Sequence, residues 1–135
     1  MRGNLPMKKK NIGFITTNKV FAQSFAATMG ARRELEYNLY LFLNPHQAAV
    51  DAEIMKTDIA VVDVVNESSK SPETFLSFCE KLRKDMPECH ILLIVSQEDK
   101  QGCETVIRAV KDKIADDFVF YDNSLEYLFA KLAAF

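Results

Sequence analysis

Between Asn11 and Phe135, a short apolar or alternating run is followed five times by a longer segment whose apolar residues recur every three or four positions. Period two suits strands and period 3.6 suits helices, so the chain predicts five strand–helix units. The first strand reads Ile12 to Thr16, and Asn18 stands as N-cap of a helix with Phe21, Phe25 and Met29 on one stripe. The second, Leu35 to Leu43, sets Leu35, Tyr37, Leu39 and Leu41 against Glu36, Asn38 and Tyr40, as a half-exposed edge strand does. Asn44-Pro45 then opens a helix with Pro at its first position and a small-residue stripe of Ala48, Ala52 and Met55. The third strand runs from Asp58 to Asp63. Ser71-Pro72 starts a helix carrying Phe75, Phe78, Cys79, Leu82 and Met86, the best helical period in the chain.

The fourth strand, His90 to Val95, is apolar after its first residue and therefore central. Its helix carries Val106, Ile107, Val110 and Ile114. The fifth strand, Asp117 to Tyr121, leads through Asp122-Asn123-Ser124 into a helix facing Leu125, Leu128, Phe129 and Leu132 inward. Strands alternating with helices over short connections predict a three-layer αβα sandwich on a parallel sheet. With the second strand at an edge, the expected strand order is 2-1-3-4-5.

Composition narrows the function classes. The 135 residues, 48% hydrophobic and 27% charged, fit one domain; residues 1–10 look like a disordered lead-in of the kind left by cloning, with Met7 as a natural start and 11–135 as the folded unit. A net charge of −2 argues against nucleic acid or an anionic membrane as partner. No apolar stretch reaches the roughly 18 residues of a membrane span, and the expected location is the cytoplasm. Cys79, Cys89 and Cys103, with only two histidines, His46 and His90, are too few and too scattered for a disulfide framework or a metal site.

The chemistry-bearing candidate is Asp63, a carboxylate at the carboxyl end of a buried strand, where open α/β sheets place their sites. Its bland reading is a strand-end carboxylate bonded to backbone N–H groups or to the hydroxyls of Thr16, Thr17 or Ser96. Ser96 closes the fourth strand, where it serves equally well as a turn cap.

The order of elements, the segment Thr57-Asp58-Ile-Ala-Val-Val-Asp63, the segment Ala115-Asp116-Asp117-Phe118-Val119-Phe120 and Ser96 together resemble the receiver domain of bacterial two-component response regulators, over Asn11 to Phe135. The resemblance implies the flavodoxin-like receiver fold and makes Asp63 the phospho-acceptor candidate, with Ser96 and Phe118 as switch candidates. It also implies an acidic pair after the first strand to hold Mg²⁺ and a lysine at the end of the fifth. Here those positions read Thr16-Thr17-Asn18 and Tyr121-Asp122. Phosphoryl transfer to a carboxylate gathers negative charge that needs a metal and a cation to offset it, so this pattern predicts a degenerate receiver, or pseudo-receiver, without enzymatic activity and without a cofactor.

The alternative is a working receiver phosphorylated on Asp63 with unorthodox Mg²⁺ ligands such as Asp99 or Asp122. A lesser one is a flavodoxin-like phosphate or flavin binder using Thr16-Thr17-Asn18 and Ser24, which lacks the glycine a phosphate-wrapping loop wants. For the pseudo-receiver, the resemblance implies a protein partner or output domain meeting the face of helix four, strand five and helix five. Lys111, Lys113, Asp116, Asp117, Tyr121, Glu126, Tyr127 and Lys131 would lie there, and their mixed charge and aromatic content suit a homodimer.

Overall fold

The computed structural model describes residues 9–32, 37–64, 73–121 and 125–135. Its elements, in chain order, are β1 (Lys10–Ile15), α1 (Lys19–Ala31), β2 (Tyr37–Phe42), α2 (Pro45–Ile54), β3 (Ile59–Asp63), α3 (Glu73–Asp85), β4 (His90–Val95), α4 (Lys100–Lys111), β5 (Asp117–Phe120) and α5 (Leu125–Ala133). All four strand pairings are parallel, and the order is β2-β1-β3-β4-β5, as the sequence pattern predicts.

Alternation along the strands splits the core into two layers. Ile12, Phe14, Ile59, Val61, Leu92, Ile94 and Val119 pack with Phe25 and Met29 of α1 and Leu128, Phe129 and Leu132 of α5. Ile15, Ala60, Val62, Ile91, Leu93 and Val95 pack on the other side with Ala48 and Ala52 of α2, Cys79 and Leu82 of α3, and Val106 and Ala109 of α4. Both faces being covered explains why β3 and β4 read as continuous apolar runs. Each fully buried side chain of this kind stabilises the fold by about 1.5–3 kcal/mol.

Local chemistry fixes the element ends. Asn18 Oδ1 accepts from the Phe21 N–H, capping α1, and Asp99 Oδ1 accepts from the Gly102 N–H, capping α4. Gly13 is required by close approach: a Cβ there would lie 2.5 Å from the Phe42 ring.

Several expectations shift. Lys10 was expected in the lead-in but is the first residue of β1, pairing with Tyr37, and its ammonium donates to the Phe135 carbonyl. Ile107 was expected on the core stripe of α4. It is 52% exposed, because Val106 and Ala109 take the inward positions. β5 ends at Phe120, one residue short of Tyr121. Asp116 was expected on the docking face; instead its Oδ2 accepts from the Ile91 N–H at 2.7 Å and from Arg83 at 2.8 Å, at the amino end of the sheet. Residues 1–8 of the lead-in, Leu35, Glu36, Ser71, Pro72, Asp122, Asn123 and Ser124 lie outside the described residues, as do the side chains of His46 and Leu125.

Candidate functional site

The carboxyl edge of the sheet gathers the residues singled out from the sequence. Ile15 pairs with Val62, so one step further along the register Thr16 stands opposite Asp63. Asp63 pairs with Ile94, and Val95 with Phe120, which brings Ser96 and Tyr121 to the same edge. Thr16, Asp63, Ser96 and Tyr121 follow the alternation of Phe14, Val61, Ile94 and Val119, the α1 and α5 side of the sheet.

At its centre lies a two-residue contact. The Thr16 hydroxyl donates to Asp63 Oδ2 at 2.5 Å, and its oxygen accepts from the Asn18 N–H at 3.0 Å. Thr16 is 2% exposed and Asp63 8% exposed. Asp63 Oδ1 is buried and has no hydrogen-bond partner among the described residues. Burial pushes the Asp63 carboxyl up from its ordinary 3.8 to about 6, against the lowering effect of the Thr16 hydrogen bond. The carboxylate is thus charged at neutral pH at a cost, with one oxygen satisfied and one left over.

The surrounding positions are committed to structure. Thr17 is exposed. Ser96 Oγ accepts from the Glu98 N–H at 3.2 Å, and its carbonyl accepts from the Asp99 N–H at 3.1 Å and from Cys103 Sγ at 3.3 Å. Ser24 was expected in the loop after the first strand, but it sits within α1, where its carbonyl accepts from the Thr28 hydroxyl. That removes one hydroxyl from the candidate phosphate loop.

Tyr121 stands where the resemblance expects a lysine, and its ring meets Phe21 edge-on at 5.2 Å between centroids. No cationic nitrogen bonds Asp63 among the described residues. Phe118 is half-buried on the opposite side of the sheet, edge-on to Phe120 at 5.4 Å. A bound Mg²⁺ fits this donor set poorly, because a hard cation wants several anionic oxygens gathered together: the Thr16 hydroxyl is spent on Asp63, Asp99 puts Oδ1 on the Gly102 N–H as the cap of α4, and no three acidic, histidine or cysteine side chains cluster among the described residues.

On the other candidate surface, Lys131 Nζ pairs with Asp117 Oδ2 at 2.6 Å and lies over the Tyr127 ring. Lys111 and Tyr127 are exposed. The Tyr121–Phe21 and Lys131–Asp117 contacts escaped sequence reading; each joins residues in different elements, and neither leaves a local signal.

No protein-family model matches this sequence, and no curated protein does. Solved structures do. A two-component response regulator from Clostridium difficile superposes with a TM-score of 0.73 at 19% identity, covering 93% of this chain and 94% of that one. A response regulator from Burkholderia pseudomallei, solved with a phosphorylated aspartic acid, superposes with a TM-score of 0.70 at 26% identity, covering 90% of this chain and 65% of that one. This chain therefore spans just under two thirds of that regulator's length. A candidate pilus assembly protein from Burkholderia thailandensis superposes at 0.67 with 19% identity, covering 93% and 96% of the two chains. With its parallel 2-1-3-4-5 sheet and its aspartate at the end of β3, this chain has the receiver-domain fold of response regulators.

Proposed function

We propose that this chain is a pseudo-receiver, a signalling module that engages a protein partner or output domain without being phosphorylated. One observation carries the reading. The residue opposite Asp63, where a receiver needs a metal-holding carboxylate, is Thr16, and its hydroxyl is bonded to Asp63 itself. Tyr121 adds to it, since a phenol packed on Phe21 supplies no charge to offset an incoming phosphoryl group. What remains useful is surface, and no catalytic step is assigned to this edge.

The docking face we favour is α4 with the outer side of α5, where Lys111 and Tyr127 are exposed. Asp117 and Lys131 pair with each other, and Tyr121 leans onto α1, so these three shape that face more than they reach across it. A second copy of this chain is one candidate occupant of it. Among the described residues no helix is long and apolar enough to cross a membrane, which suits a module working in the cytoplasm.

One observation favours a second reading. Asp63 Oδ1 is buried without a partner among the described residues, and a buried lone oxygen is a place for a ligand to bind. On this reading Asp63 is phosphorylated with ligands other than the usual acidic pair. Incubation with acetyl phosphate and Mg²⁺ followed by intact mass measurement separates the two. The pseudo-receiver keeps its mass; a gain of one phosphoryl group that Asp63→Asn abolishes would establish the second reading instead.

A further inference from the structure

Helix α2 is turned inside out. Its buried positions are the small Ala48 and Ala52, whereas Val50 and Ile54, one turn apart on the opposite side, are 46% and 67% exposed. Large β-branched side chains have weak helix propensity, and helical packing normally faces them inward, so two of them on the outer face call for a partner surface. Asp51 and Glu53 flank this pair, and α2 holds no Lys or Arg.

Helix α4, in the same layer at the other end of the sheet, carries the converse. Lys100, Ile107 and Lys111, at i, i+7 and i+11, fall on one exposed face, with Arg108 beside them and Glu104 the only acid of the helix. Among the described residues none of these charged groups on α2 or α4 is in an ion pair, so the charges are available across a contact. An apolar pair rimmed by carboxylates matches an isoleucine rimmed by lysines, whose long aliphatic stems add apolar cover while their ammonium groups reach the acids.

We propose that α2 of one copy docks on α4 of the next, so that this chain associates head to tail. This deepens the docking reading above and rests on it only for the use of the α4 face; it says nothing about Asp63. The pairing α2 to α2 is disfavoured because a two-fold axis would oppose acid to acid, and α4 to α4 because it would oppose lysine to lysine. The contact is therefore heterologous, and each copy keeps one free α2 face and one free α4 face for further addition. Its apolar centre is only a few side chains, so association is weak, concentration-dependent and reduced by salt.

Sedimentation velocity over a concentration series up to about 1 mM, a range that reads weak contacts, tests this with Ile54→Glu and Ile107→Glu. Both positions are exposed, and circular dichroism verifies that each variant folds. The expected result is mass growth for the natural chain, monomer for each variant alone, and a one-to-one dimer when the two are mixed. Only a head-to-tail contact gives that rescue, since each variant retains the face the other has lost. A natural chain that stays monomeric throughout would overturn the proposal. So would association lost in Ile107→Glu, kept in Ile54→Glu and not rescued by mixing, the pattern of a symmetric dimer through α4. The acetyl phosphate experiment reads Asp63 alone, so a phosphorylated chain that still gives the rescue would end the pseudo-receiver reading and leave this contact standing.

Discussion

Thr16 and Asp63, 47 residues apart in sequence, are joined by a 2.5 Å hydrogen bond from the threonine hydroxyl to one carboxylate oxygen, while the other oxygen stays buried without a partner among the described residues. The fold thereby holds a carboxylate in a place that raises its free energy when charged.

The pH dependence of stability follows from that. Burial raises the Asp63 carboxyl from 3.8 to about 6, so between these values the folded state binds more protons than the unfolded one. Stability from this group is present below pH 4, falls as pH rises toward 6, and is flat above; the full difference is on the order of 3 kcal/mol, comparable to one buried Phe. Asp63→Asn removes the ionisation and keeps an acceptor for Thr16. Urea unfolding should find the variant more stable by about 1–3 kcal/mol at pH 7.5, with little gain at pH 4. Equal stability of the two proteins at pH 7.5 would show that Asp63 is solvated.

Thr16→Val has the opposite sign. It removes the donor to Asp63 Oδ2 and the acceptor of the Asn18 N–H. The expected loss is about 1–3 kcal/mol at pH 7.5, the range for leaving buried polar groups unpaired. The Asp63 carboxyl, read by NMR titration of its side-chain carbon, should move further up.

Restoring the charges should restore the chemistry. In Thr16→Asp/Thr17→Asp/Tyr121→Lys, Asp63 gains two carboxylates and a cation at the positions that the sequence resemblance to receivers implies. Saturable Mg²⁺ binding by calorimetry is expected for this variant and not for the natural chain. A triple variant that folds but ignores Mg²⁺ would mean that more than these three positions separate this edge from a working one.

Two backbone positions give predictions independent of the site. Lys113, just after α4, has φ 63°, a left-handed conformation that costs a side-chain-bearing residue. Lys113→Gly should stabilise by about 0.5–1 kcal/mol in thermal or urea unfolding. Gly13→Ala should do the reverse, by about 1–3 kcal/mol, because its Cβ would meet the Phe42 ring at 2.5 Å.

These residues also mark how far the sequence could be read. The strand ending at Asp63 was legible because a parallel strand covered on both faces must be apolar throughout, so a terminal carboxylate stands out. The inward stripes of α1 and α3 were legible for the same reason, that burial imposes a period. Lys10 was misplaced because three consecutive lysines carry no alternation, although the third begins β1. Ile107 was misassigned because adjacent Val and Ile fit an inward stripe equally well, and only the packing of Ala109 decides between them. Within the site, the residue types were readable but their commitments were not: Thr16 to Asp63 and Tyr121 to Phe21 are decided by register and by which helix covers that edge.

The most direct test of the central claim is an amide NMR titration of this chain with Mg²⁺ and then beryllofluoride, a phosphoryl mimic, beside Asp63→Asn. A pseudo-receiver predicts no saturable shift at millimolar ligand in either protein. Saturable shifts spreading from Asp63 toward Ser96 and Phe118, and lost in Asp63→Asn, would contradict the account and establish a phosphorylation switch built on other ligands.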